Sequence, residues 1–270
     1  MLQICDLSVR LDGKQILDRV SFSLRPHRLT ALVGRNGSGK STLLRCVNQE
    51  IPYTERILEG EKDLALLPAG ERAKQIAILP QSIPAPHITA WEMVAFGRNP
   101  YLDFTGRLTE RDRQAVQAAL EDARAEELAQ CYVDQLSGGE RQRVALAMLL
   151  AQNTPIGLLD EPTAHLDQGY EADFLNTLTR LKREKKKTFL VVLHDLTTAV
   201  AYADDLVVLD EGKLVFAGTK EDCLENRVLE DVFSLRRYTF REEGENKIFF
   251  APNERKQYVI SSTRRPFAAP

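Results

Sequence analysis

The stretch Gly34-Arg35-Asn36-Gly37-Ser38-Gly39-Lys40-Ser41-Thr42 constrains this chain more than any other. Gly34, four residues, then Gly39-Lys40-Ser41 is the spacing of a phosphate-gripping P-loop. Glycine lets the backbone turn through positive φ and approach phosphate oxygens with no Cβ in the way. The amides then form an anion nest at the start of a helix, whose dipole favours the same charge. In this reading Lys40 reaches the β and γ phosphates and the Ser41 hydroxyl ligates Mg²⁺. The flanks agree: Leu29 to Val33 is the apolar run of a buried strand, and Leu43 to Val47 continues a helix.

A length of 270 residues allows one large α/β domain, or one domain with a small appendage. The formal net charge of -3 gives no general pull toward nucleic acid. Cys5, Cys46, Cys131 and Cys223 lie far apart, without metal-ligand spacing, and read as thiols of a reducing compartment. No apolar run has the length of a membrane span, and Met1 to Asp6 lacks the regions of a signal peptide. The expectation is an intracellular protein whose membrane link comes through a partner.

Ahead of the P-loop, Leu7 to Leu11 and Ile16 to Leu24 alternate as strands around Asp12-Gly13, a two-residue hairpin signal. After it, Ile57 to Gly60 is a weak strand, Ala69 to Ala73 a short helix, and Ile76 to Leu79 a strand stopped by Pro80 before Gln81. From Thr89 to Gln135 the pattern is helical. Thr89-Ala90-Trp91-Glu92 and Thr109-Glu110-Arg111-Asp112 are capping-box signatures. Trp91, Met93, Val94 and Phe96 are expected to form the core of this helical insertion. Leu136-Ser137-Gly138-Gly139-Glu140 then opens a strong helix through Ala151, making a second candidate anion site at a helix N-terminus.

Ile156 to Leu159 is an apolar strand that ends in Asp160-Glu161. Sites of parallel sheets lie at such C-terminal strand ends. Asp160 is placed to hold Mg²⁺, directly or through water, and Glu161 to polarise an attacking water. Thr163 to Asp167 reads as a loop and Tyr170 to Leu181 as a helix. Thr188 to Leu193 is a further buried strand that delivers His194 to the same end. Beyond a hairpin around Asp210-Glu211-Gly212 the signal fades. Glu221 to Val232 is expected to be helical, and Lys247 to Phe250 to pair as strands with Tyr258 to Ile260.

Taken in order, Gly34–Thr42, Gln81, Leu136–Glu140, Ile156–Glu161, Leu166-Asp167 and His194 resemble the ATP-binding cassette ATPases over roughly residues 1–220. The resemblance implies an α/β P-loop NTPase (RecA-like) core with a mostly parallel sheet. It also implies an N-terminal antiparallel β subdomain and a helical subdomain inserted at about 82–139, leaving 221–270 as an extension of unknown role. Further, it implies a head-to-tail homodimer with ATP between the P-loop of one copy and the Ser137-Gly138-Gly139 turn of the other. Gly34, Arg35, Asn36, Gly37, Ser38, Gly39, Lys40, Ser41 and Thr42 would bind ATP and Mg²⁺. Gln81 would sense the metal and couple to a membrane subunit, Asp160 support the metal, and Glu161 act as general base. His194 would touch the γ phosphate, and Asp167 would couple the two sites.

Two departures stand out. The aromatic residue that family members stack on adenine is absent, with Leu11 or Val9 where the ring would sit, and Pro26-His27 replaces a glycine turn. Val94 to Tyr101, Gly106 to Arg113 and Leu193 to Asp204 resemble the importer ATPases for iron-siderophores, haem and vitamin B12. That branch implies a separate transmembrane permease, an extracytoplasmic binding protein and a place on the cytoplasmic face of the membrane. The alternatives are the ATPase of an exporter, or a soluble cassette ATPase outside transport.

Overall fold

The computed structural model describes residues 1–253 apart from His165, Glu243 and Gly244. The chain opens with β1 (Leu2–Leu11) and β2 (Lys14–Ser23), joined at Asp12-Gly13, where φ is 47° and 78°. Positive φ at both central residues suits the twist of a two-residue hairpin. The core is entered as β3 (Leu29–Gly34), followed by the P-loop and α1 (Lys40–Val47). The chain then returns to the first sheet as β4 (Thr54–Glu59) and β5 (Lys62–Asp63), giving an antiparallel sheet in the order β2-β1-β4-β5. The turn into β3 is made by His27 at φ 58°, held by Thr188 Oγ1 on its amide and by the Lys186 carbonyl on its ring. Those two contacts hold a left-handed turn at a residue that carries a side chain.

After α2 (Ala69–Arg72) come β6 (Ile76–Leu79), α3 (Ala90–Ala95), α4 (Glu110–Asp122), α5 (Gly138–Ala151), β7 (Ile156–Leu159) and α6 (Gln168–Lys185). They are followed by β8 (Thr188–Val192), α7 (Leu196–Tyr202), β9 (Asp205–Asp210) and β10 (Lys213–Thr219). The main sheet runs β10-β9-β3-β8-β7-β6, parallel throughout except for β10. Every residue of β7 and β8 is buried, as a sheet covered on both faces requires. The parallel arrangement brings the C-terminal ends of β3, β6, β7 and β8 to one edge, where the site is built.

Both expected capping boxes form, Thr89 with Glu92 and Thr109 with Asp112, and Ser137 makes a third with Glu140. Met93 and Val94 are buried and Trp91 is packed against the core. Phe96, expected inside, is exposed instead. Phe96 follows the exposed Glu92 by four residues, so helical spacing puts the two on one outer face; 3-10 geometry takes over from Phe96 to Tyr101. The insertion holds a buried ion pair. Arg98 Nε meets Asp112 Oδ1 at 3.0 Å while its Nη1 donates to the Ala151 carbonyl at 2.7 Å, tying α4 to the end of α5. Burial pushes the Asp112 carboxyl up, but hydrogen bonds from Thr109 and Arg98 outweigh it and leave the carboxyl below its ordinary value. Asp112→Ala leaves a buried guanidinium unpaired and is expected to cost about 3–5 kcal/mol, measured by denaturant unfolding. Because the native carboxyl is the stronger acid, its contribution is complete above the unfolded value and fades as pH falls through the native one.

Past β10, the expected helix over Glu221 to Val232 is two helices, α8 (Lys220–Glu225) and α9 (Val228–Phe233), separated where Arg227 takes φ 56°. Lys247 to Phe250 is a strand, as expected. It lies in β12 (Glu245–Pro252), paired with β11 (Leu235–Glu242), while Tyr258 to Ile260 falls outside the described residues. Cys223, Leu229 and Phe250 join the same apolar cluster as the main-sheet residues, so this segment packs onto the core.

Candidate nucleotide site

The P-loop forms where β3 meets α1. Gly37 and Gly39 adopt φ of 79° and 99°, the left-handed region that favours glycine. Gly34 has no room for a side chain: a Cβ there would lie 2.3 Å from the Leu209 carbonyl oxygen and 2.5 Å from Ser38 Oγ. Ser38 is buried, while Arg35, Asn36 and Gly37 are exposed at the mouth of the loop and Thr42 is half-buried. Lys40 folds back along the loop, donating to the carbonyls of Gly34 at 2.9 Å and Arg35 at 3.2 Å. Burial holds its ammonium below the usual lysine range, with Glu161 and Asp160 opposing that shift. The Arg35 side chain leaves the loop and donates to the carbonyl of Val232 in α9.

Strand ends bring the acids to this loop. Ser41 Oγ donates to Asp160 Oδ1 at 3.2 Å. Burial raises the Asp160 carboxyl, partly offset by the Ser41 hydrogen bond. The Glu161 carboxylate is held at both oxygens, Oε2 accepting from Gln81 Nε2 at 2.6 Å and Oε1 lying 2.6 Å from His194 Nε2. Glu161 stands at φ 49°, a sparsely populated conformation for glutamate. Gln81, Asp160, Glu161 and His194, drawn from three strand ends, therefore share one cluster with Lys40 and Ser41.

Ser41 and Asp160 offer a hydroxyl and a carboxylate, the hard oxygen donors that Mg²⁺ takes, so the residues fit that ion. Among the described residues no group of three or more His, Cys, Asp or Glu is arranged to hold a metal. Two protein donors suit an ion that takes its other ligands from phosphate and water.

Ser137, Gly138 and Gly139 stand apart from this cluster. The Ser137 side chain and amide bond to Glu140 Oε2 at 2.7 and 2.9 Å, and Ser137 and Gly138 are exposed. Nothing lies within 4 Å of a Cβ built on Gly138, whereas one on Gly139 would meet the Tyr170 ring at 2.8 Å. Tyr170 was not singled out in the sequence; its neighbour Asp167, which caps α6 by accepting from the Tyr170 amide at 3.0 Å, was the only signal nearby. Val9 is buried in the core and is ruled out as an adenine platform, leaving Leu11, which is half-buried at the end of β1. Leu11→Tyr adds a ring there and is expected to tighten ATP binding about 2- to 10-fold, the range of one aromatic stacking contact, measured by calorimetric titration.

A P-loop at the end of a parallel sheet, faced by a strand-end Asp-Glu pair, defines a nucleoside triphosphatase of the P-loop class. The family described as ABC transporter matches residues 17–164. The ferric enterobactin transport ATP-binding protein FepC of Escherichia coli (strain K12) is 39% identical over 224 residues, 82% of each chain. The iron(3+)-hydroxamate import ATP-binding protein FhuC of Bacillus subtilis (strain 168) is 35% identical over 231 residues, 85% of this chain and 86% of that one. Among solved structures, an ABC transporter in an inward-facing conformation superposes with a TM-score of 0.82 at 24% identity, over 94% of this chain and 97% of that one; it shares the fold. The chain belongs to the ABC transporter family and is one of its ATP-binding, ATP-hydrolysing subunits.

Proposed function

We propose that this protein is the ATPase subunit of an importer that takes up a metal chelate, an iron-siderophore, haem or cobalamin-like cargo, through a separate transmembrane permease. The Glu161 carboxylate, held between Gln81 and His194 beside the Ser41–Asp160 pair, carries the hydrolytic part of the reading. The identity to FepC and FhuC supports the cargo class. Among the described residues no helix is long and apolar enough to cross a membrane, so membrane attachment is assigned to the permease, on the cytoplasmic face. A binding protein outside the membrane would deliver the chelate.

Phosphoryl transfer to water needs positioning and charge neutralisation more than covalent chemistry. The loop amides of Gly34 to Thr42 and Lys40 grip the phosphates. Mg²⁺ at Ser41 and Asp160 supplies neutralisation of phosphate charge when bound. Glu161 takes the proton of the attacking water, and His194 and Gln81 hold its carboxylate in place. The exposed Ser137-Gly138 turn is the open half of a second site and completes it against another copy of the chain, head to tail. Asp167, at the start of α6, caps the turn that carries Tyr170, whose ring sits against Gly139, and this makes Asp167 the link between the two halves.

Affinity purification of the tagged chain from detergent-solubilised membranes tests this. The reading expects a multi-span membrane protein in stoichiometric amount. Recovery with ribosomes, or with no membrane protein, would replace transport with the soluble-ATPase alternative.

A further inference from the structure

The C-terminal segment takes no part in the site described above, yet one contact joins it to the nucleotide loop. The Arg35 guanidinium donates to the carbonyl of Val232, 197 residues away in sequence. Val232 lies in the last turn of α9, where carbonyls lack intrahelical partners and carry the negative end of the helix dipole. A cationic donor therefore suits that position.

The acceptor is firmly placed. Arg227 at φ 56° and Ser234 at φ 57° turn the chain into and out of α9. Leu229 is fully buried. Glu230 has a side chain only 3% exposed and pairs with Arg237 of β11 at 3.2 Å, and Arg237 also donates to the Leu224 carbonyl at 2.8 Å. One buried carboxylate thus pins α8, α9 and β11 together. On the other side, Lys40 grips the Gly34 and Arg35 carbonyls from within the loop. The peptides at the mouth of the loop are held from inside by Lys40 and from outside by Arg35.

We propose that Arg35 is a positioning residue through which the α8–α9–β11 unit keeps the nucleotide loop in the shape that receives a triphosphate. The proposal rests on the reading of Gly34–Thr42 as the ATP site. A loop ordered before binding loses less freedom when the ligand arrives. Coupling of this kind is reciprocal, so ATP in the loop steadies α9 as α9 steadies the loop.

The test is steady-state ATPase kinetics on the full chain for Arg35→Met, Arg35→Lys, Glu230→Gln and the Arg35→Met/Glu230→Gln double variant. Arg35→Met is expected to raise KM for ATP about 3- to 10-fold, the scale of ordering one or two side chains, with kcat nearly unchanged. Arg35→Lys keeps a donor and recovers most of the loss. Glu230→Gln, which does not touch the loop, shifts KM in the same direction, and the double variant is no worse than Arg35→Met alone. An unchanged KM in Glu230→Gln, or effects that multiply in the double variant, would overturn the proposal, because Arg35 would then meet the nucleotide directly. Should Glu230→Gln fail to fold, amide hydrogen exchange decides. ATP should slow exchange at residues 229–234 in the wild type and not in Arg35→Met, and equal slowing in both overturns the proposal. Lys40→Met separates the two levels: normal ATP binding there would overturn the site assignment itself.

Discussion

Replacing Glu161 with glutamine is expected to cut steady-state ATP hydrolysis by about 10²–10⁴-fold, the range a positioned general base supplies. ATP binding should survive, because the phosphates are held by Lys40 and the loop amides, which the substitution leaves alone. Glutamine keeps the shape of glutamate and can still bond to Gln81 and His194. What it loses is the ability to accept a proton from water. With hydrolysis blocked, the ATP-bound form accumulates, and the chain should run as a stable dimer in size-exclusion chromatography with MgATP. Steady-state turnover like that of the wild type would remove Glu161 from the role.

The second large effect concerns a residue outside the cluster. Ser137 is exposed at the start of α5, where its side chain is engaged by Glu140 of the same helix. Ser137→Arg puts a bulky cation where the γ phosphate of the opposing copy would dock. ATP-driven dimerisation and ATPase activity should both fall by at least about 10²-fold, as when a preorganised group that stabilises transferred charge is removed. Ser137→Ala is the control for the lost helix cap, which costs about 1 kcal/mol of stability and leaves the docking surface open. If Ser137→Arg dimerises normally with ATP, the trans half of the site lies elsewhere. If Ser137→Ala loses as much activity as Ser137→Arg, the cap rather than the interface explains the loss.

Much of this architecture was legible because local rules and the global fold agree. The P-loop announces itself through glycines that the turn requires, two of them at positive φ. β8 reads as a buried strand because all five of its residues are apolar or β-branched. Two capping boxes, at Thr89 and Thr109, and the Asp12-Gly13 turn mark their elements without reference to anything distant. Clustering of Gln81, Asp160, Glu161 and His194 follows from parallel strands ending on one edge of the sheet.

What was missed depends on contacts that leave no local trace. β11 carries Arg236, Arg237 and Arg241 among its apolar residues, so no clean alternation marks it, and its pairing with β12 was invisible. Phe96 is the exception: it stands four residues after the exposed Glu92, so its outward place follows from the helical period, against its apolar character. Tyr170 matters through its seat on Gly139, a neighbour distant in sequence and in a different helix. The tie from Arg35 to Val232 has no sequence signature, since any arginine in an exposed loop would read the same.

Hydrolysis at this site is proposed to drive a chelate inward through a partner permease. Its most direct test is uptake of a radiolabelled ferric siderophore into proteoliposomes that hold the co-purified permease with this subunit. The binding protein is supplied outside the vesicles and ATP inside, where the subunit must face. ATP-dependent accumulation is expected with the wild-type subunit and none with Glu161→Gln. Accumulation that persists in Glu161→Gln, or ATP-driven loss of chelate preloaded into the vesicles, would contradict it.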